Sequence, residues 1–150
     1  MRSYLVLAAF ILVVLGGGVL IGLAMLPGDW YAVLTKPPFN PPNWIFAPVW
    51  SVLYVLIAIA GWRCWMSAPT GLPMRVWGVQ LVLNFLWSPI FFGAHRMGLA
   101  LGVIVALLVA ILVFIRLNWR ADRVAAWLFV PYAAWVAFAT LLNGSLLWLN

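Results

Sequence analysis

Charge is what this sequence has least of. Only 7% of its 150 residues are charged, while 68% are hydrophobic. A soluble domain needs a far more charged surface than that. Acids are scarcer still, with Asp29 and Asp122 the only two carboxylates. Both fall in polar breaks, so they form no acid–base dyad, and no nucleophile is paired with a base. Cys64 is the single cysteine. That excludes an internal disulfide and leaves no cysteine-built metal cluster. His95 is the single histidine; an axial haem ligand at a helix end is the sharper reading of it, and a solvated interfacial residue the plainer one. Segments of about ten residues alternating apolar with polar, the mark of a membrane β-barrel, are also missing. The net charge of +6 comes from basic residues scattered at run ends. They read as topology signals, not as a nucleic-acid surface.

What the sequence has is apolar length. A spanning helix takes about 20 apolar residues. Five runs qualify: Tyr4 to Leu26, Trp44 to Trp62, Val76 to Ala94, Met97 to Ile115, and Val124 to Leu149. The expected fold class is therefore an all-α integral membrane protein, a bundle of five transmembrane helices in one domain. Its helices are placed at about 4–26, 44–65, 76–94, 97–115 and 124–149, with a loop at 27–43. The first run is longer than a signal-peptide core and lacks an A-x-A cleavage site, so it is read as a retained helix. The lipid bilayer is the first partner this implies. Gly18 and Gly22 make a G-x-x-x-G spacing in the first helix. It serves either packing within the bundle or a homodimer.

The loop after the first helix, Pro27 to Asn43, holds five prolines. Each fixes φ and removes a backbone donor, so the loop is stiff. Tyr31 and the prolines form either an interface anchor or a lid over a ligand. Below it, Trp50 and Tyr54 lie one turn apart on the second helix. Gln80, Asn84 and Ser88 line one face of the third helix, with Trp87 beside them. Polar groups at membrane depth face protein or a cavity, so this stripe is interhelical glue or pocket lining. Pro89 and Pro131 are expected to kink the third and fifth helices. Trp135, with the small Ala139 one turn on, lies far from either interface. Together these residues suggest a slot for a planar molecule. No ionisable residue lies between the run ends, which argues against an ion channel.

Basic residues set the expected orientation. One side would carry Arg2, Arg63, Arg75, Arg116, Arg120 and Arg123; the other, Lys36 and Arg96. The excess puts the N-terminus in the cytoplasm and the proline-rich loop outside. A short chain without a targeting extension points to a bacterial inner membrane, with an outer membrane as the alternative.

In order, the motifs read W-Y-x2-L-x-K-P-P-F-x-P-P, W-I-F-x-P-V-W-x3-Y, Q-x3-N-x2-W-x3-F-F and P-Y-x2-W-x2-F-A-T-x-L-N. This series resembles the translocator protein family, also called the tryptophan-rich sensory protein or peripheral benzodiazepine receptor family. The resemblance covers nearly the whole chain. It implies a membrane receptor or carrier that binds porphyrin or haem-type tetrapyrroles, and isoquinoline-type synthetic ligands, in a pocket under the first loop. The pocket positions it carries over are Tyr31, Pro41, Trp50, Tyr54, Asn84, Trp87, Ser88, Trp135 and Ala139. It implies no required cofactor, the porphyrin being a ligand. Light-dependent oxidative breakdown of bound porphyrin is the alternative activity, and Trp50 and Trp135 would carry it. Lys36 and Arg96 are the cations on the loop side that could meet porphyrin propionates. The family's animal sterol motif, a tyrosine followed by a basic residue near the end of the last helix, is absent from L-L-N-G-S-L-L-W-L-N.

Overall fold

A computed structural model describes all 150 residues. It is helical throughout, without a strand. Five helices are long and apolar enough to cross a membrane: α1 (Arg2–Ala24), α2 (Asn43–Ser67), α3 (Leu72–Gly93), α4 (Met97–Ala121) and α5 (Arg123–Leu149). They pack as a closed ring in the order α1, α2, α5, α4, α3 and back to α1. Leu112, Val109, Val82, Val52 and Leu20 are among the many large apolar side chains left exposed, as suits lipid-facing positions.

The expected boundaries hold within a few residues except at α4. Arg116 to Arg123 reads in sequence as a polar loop, yet α4 runs on to Ala121 and α5 starts at Arg123. Arg, Leu and Ala are good helix formers, so the helix continues past its apolar run. Asp122 alone breaks it. This residue caps α5, its carboxylate accepting from the Ala125 N–H at 3.3 Å. The same carboxylate accepts from Arg63 Nε at 2.8 Å and Nη2 at 3.0 Å, tying α2 to the α4–α5 corner. Burial alone would push the Asp122 carboxyl up; Arg63 and the backbone N–H groups outweigh it and hold the carboxyl below its ordinary value.

Two π-helical turns interrupt the spans, Leu12–Gly16 in α1 and Pro89–Gly93 at the end of α3. Pro89 cannot donate to the ladder, and the chain answers by widening that last turn. Pro131 sits inside α5, which stays continuous across it.

The larger core cluster joins α2, α4 and α5 through Ile57, Leu107, Ile111, Phe114, Phe129 and Tyr132. Glycine lets two rings in close. Gly18 lies against the Tyr54 ring and Gly61 against Trp77, and a Cβ at either position would overlap the ring. Gly18 is thus used for packing within the bundle, while Gly22 has open space beside it. A second, smaller cluster of Tyr31, Phe91, Ala100 and Leu146 closes the opposite end, beneath the loop.

Candidate functional site

The loop over the second cluster is an ordered lid. Its first part winds into one helical turn, Asp29–Ala32. The Lys36 ammonium folds back and donates to the carbonyls of Tyr31 at 2.9 Å, Leu34 at 3.2 Å and Ala32 at 3.3 Å. A cation at the C-terminal end of that turn stabilises its last carbonyls. It also lies 4.7 Å from the centroid of the Tyr31 ring. Lys36 is therefore committed to the lid itself and is not free to meet an acid group below.

Two clasps hold the lid down. Trp30 stacks on His95 of the α3–α4 turn, ring centroids 4.2 Å apart and planes 7° from parallel. His95 takes a left-handed backbone, φ 57°, to present that ring. At the far end, the Asn150 side chain accepts from the Thr35 N–H at 3.0 Å and donates to the Thr35 carbonyl at 2.9 Å. His95 serves here as a stacking surface for the lid.

Under the lid lies a cavity of about 40 Å³. Its walls are mostly rings: Tyr31 from the lid, Phe46 from α2, and Trp87, Phe91 and Phe92 from α3. Trp87 lies over Phe91, centroids 5.0 Å apart and planes 22° from parallel. Tyr31 meets Phe92 edge-on at 5.4 Å. Ala139, Leu142 and Leu146 of α5 form the opposite wall, and two carboxamides, Asn40 and Asn143, supply polar groups. Asn143 is almost wholly buried. It accepts from Trp87 Nε1 at 2.9 Å and donates to the Met97 carbonyl at 3.0 Å, so the wall indole is locked in place. Tyr31 is also buried, and that burial raises its phenol above the ordinary value. The lining offers ring faces, amides and a neutral phenol, which suits binding and orienting a flat apolar molecule.

Of the positions singled out in sequence, Tyr31, Trp87 and Ala139 line this cavity. The others stand behind or beside it. Trp135 packs edge-on against the wall residue Phe46 at 5.8 Å, and its Nε1 is buried with no hydrogen-bond partner. Trp50 packs against Tyr54 at 5.4 Å and edge-on to Tyr132 at 6.4 Å, one layer deeper. Pro41 lies in the lid, where its carbonyl accepts from the Asn40 side chain. Ser88 is partly buried on α3.

Asn84 turns out to be interhelical glue. Its amide donates to the Tyr132 hydroxyl at 2.6 Å, and that hydroxyl donates to Gln80 Oε1 at 2.7 Å. Tyr132 and Gln80 have no exposed surface. The stripe on α3 thus divides, with Gln80 and Asn84 bound to α5 and Trp87 serving the cavity. Sequence reasoning passed over Phe46, Phe91, Phe92, Asn40 and Asn143 as wall residues. The adjacent phenylalanines two positions after Pro89 were the available signal, since the π turn aims both rings inward.

The site's geometry can be set beside known proteins. The model of the TspO/MBR family matches residues 9–149. The chain belongs to that family. It is 40% identical over 133 residues to Protein CrtK of Rhodobacter capsulatus, covering 86% of this chain and 83% of that one. It is 36% identical over 129 residues to the tryptophan-rich sensory protein of Cereibacter sphaeroides, covering 86% and 82%. It is 39% identical over 143 residues to the translocator protein of Ovis aries, covering 89% and 83%. The chain is accordingly a TspO/MBR integral membrane protein, and the family supports a membrane receptor role.

Proposed function

We propose that the chain receives a flat tetrapyrrole, a porphyrin or haem-type macrocycle, beneath its proline-rich lid. One observation carries this reading: five aromatic rings wall one mostly apolar cavity under an ordered loop, with Trp87 and Phe91 nearly parallel. Ring faces attract another π system most strongly in offset stacking. Isoquinoline-type ligands are flat and apolar too and would use the same walls. The cavity's 40 Å³ is far below the roughly 300–1,000 Å³ of sites for molecules of drug size. The lid and the walls must therefore part to admit the ligand. Lys36 is spent inside the lid, so Arg96, beside the His95 clasp, is the cation left on that side for a propionate.

Titration with protoporphyrin, read by quenching of tryptophan fluorescence, tests this. Quenching should saturate near one ligand per chain. Trp87→Leu should weaken it about three- to tenfold, the loss of one stacked ring. Trp50→Phe with Trp135→Phe, one layer back, should weaken it less. Quenching that rises without saturation would overturn the reading. We further place the arginine-rich end in the cytoplasm of a bacterial inner membrane, following the positive-inside bias. A reporter fused at the C-terminus should then report the outer side, and a cytoplasmic signal would reverse the assignment.

A further inference from the structure

The end of the bundle opposite the lid carries a feature that ligand binding does not use. Arg2, Arg63, Arg75, Arg116, Arg120 and Arg123 all lie there, and Asp122 is the only carboxylate among them. Arg63 takes both oxygens of that carboxylate. The remaining arginines have no acid to pair with, since Asp29 sits in the lid at the other end.

Three of them converge where α4 meets α5. Val109, Leu112, Val113, Arg116, Trp119 and Arg120 recur at three- and four-residue spacing and form one exposed stripe of α4. Arg123 opens α5 and turns back over it. Its Nε donates to the Trp119 carbonyl at 3.2 Å, and its guanidinium lies 5.1 Å from the Trp119 ring centroid. Trp127, one turn into α5, packs against Trp119 with centroids 5.7 Å apart. Both indoles still face outward, 36% and 57% exposed. Along the helix axes the corner carries Arg120 and Arg123 at the rim beside the Trp119 indole, then Trp127 and Arg116 about one turn further in, and exposed aliphatic side chains beyond those. The Arg116 side chain is long enough to reach back toward the rim.

A phospholipid runs in the same order: phosphate, ester-linked glycerol and acyl chains. We propose that the α4–α5 corner binds an anionic phospholipid, with Arg116, Arg120 and Arg123 facing its phosphate and Trp119 and Trp127 its glycerol region. Charge complementarity selects the anionic class, because three cations whose one neighbouring carboxylate, Asp122, is taken by Arg63 repel the amine of a zwitterionic headgroup. Trp119 also holds the Arg123 guanidinium in place, so the cation is oriented before the lipid arrives. This assignment does not depend on what the lid admits.

The test uses the full chain in detergent micelles, with short-chain phosphatidylglycerol and phosphatidylcholine titrated separately and binding followed by native mass spectrometry. Phosphatidylglycerol should bind saturably and phosphatidylcholine at least tenfold more weakly. Arg120→Gln with Arg123→Gln should cost at least tenfold in phosphatidylglycerol affinity. Arg2→Gln with Arg75→Gln removes the same charge from the same end and should cost less than threefold. Phosphatidylglycerol with brominated chains should quench the parent more than a Trp127→Leu variant, a readout that leaves the arginines intact. Equal losses in the two arginine double variants would overturn the proposal and reduce the arginines to topology signals. Equal binding of the two lipids would overturn it as well. Displacement of the lipid by millimolar inorganic phosphate would assign the site to a free anion instead.

Discussion

If the lid must open to admit a ligand, its two clasps set the rate. His95→Asn removes the ring stacked on Trp30, and asparagine tolerates the left-handed backbone at that position. Asn150→Ala removes both side-chain bonds to Thr35. The stack is worth about 0.5–1.5 kcal/mol beyond its buried area. The two bonds are exposed, so each belongs near the low end of the usual range, about 0.5 kcal/mol. Together the clasps favour the closed lid by about 1.5–2.5 kcal/mol, or roughly 10- to 70-fold in the open–closed equilibrium. Stopped-flow quenching with protoporphyrin should show association faster by about that factor in the double variant. Dissociation should speed up as well, because the clasps also re-form over a bound ligand, and the affinity should change little. An association rate within twofold of the parent, with saturable binding intact in both, would refute the reasoning.

Other consequences follow from the buried polar groups and the close packing. Tyr132→Phe strips Asn84 and Gln80 of their shared hydroxyl. Interhelical bonds in membranes average about 0.6 kcal/mol, with a maximum near 1.7, so this variant should lose roughly 1–3 kcal/mol in a denaturation experiment; adding Asn84→Leu should restore part of it. Asp122→Ala loses the α5 cap, about 1 kcal/mol, and a partly exposed ion pair worth up to about 1 kcal/mol. The Asp122 carboxyl is held below its ordinary value, so its contribution is complete above the unfolded pKa of about 4. It fades as pH falls through the lower folded value, and the melting difference between parent and Asp122→Asn should shrink over that acidic window. Gly18→Leu pushes a side chain into the Tyr54 ring and should destabilise by about 1–3 kcal/mol, whereas Gly22→Leu, with open space beside it, should be nearly neutral.

How much of this was readable in advance depends on the kind of information each feature carries. The spans are encoded locally: a run of about 20 apolar residues has one stable solution in a bilayer, and all five were found. The end of α4 was misjudged because R-L-N-W-R-A is polar by composition but helical by propensity, and only Asp122 truly breaks the chain. Lys36 reads in sequence as available for an acidic ligand, but it binds three carbonyls of its own lid, at the end of the short helical turn just before it. Spacing put Asn84 and Trp87 on the same side of α3, but it could not say that Asn84 would meet Tyr132 while Trp87 faced the cavity. That division depends on the rotation of α3 against α5, which is settled by packing. Trp50 and Trp135 read in sequence as slot residues, yet they back the wall of the cavity and do not line it.

Helix α5 separates two faces that one measurement can compare. Ala139 faces the cavity, while Ala137, two residues away, lies on an outer groove of about 680 Å³ between the helix and Pro37 and Pro38 of the lid. Protoporphyrin titrations of Ala139→Trp and Ala137→Trp, with folding checked by circular dichroism, test whether the ligand goes beneath the lid. The account predicts at least a tenfold loss of affinity for Ala139→Trp and less than a twofold change for Ala137→Trp. The reverse pattern, or equal losses, would contradict it.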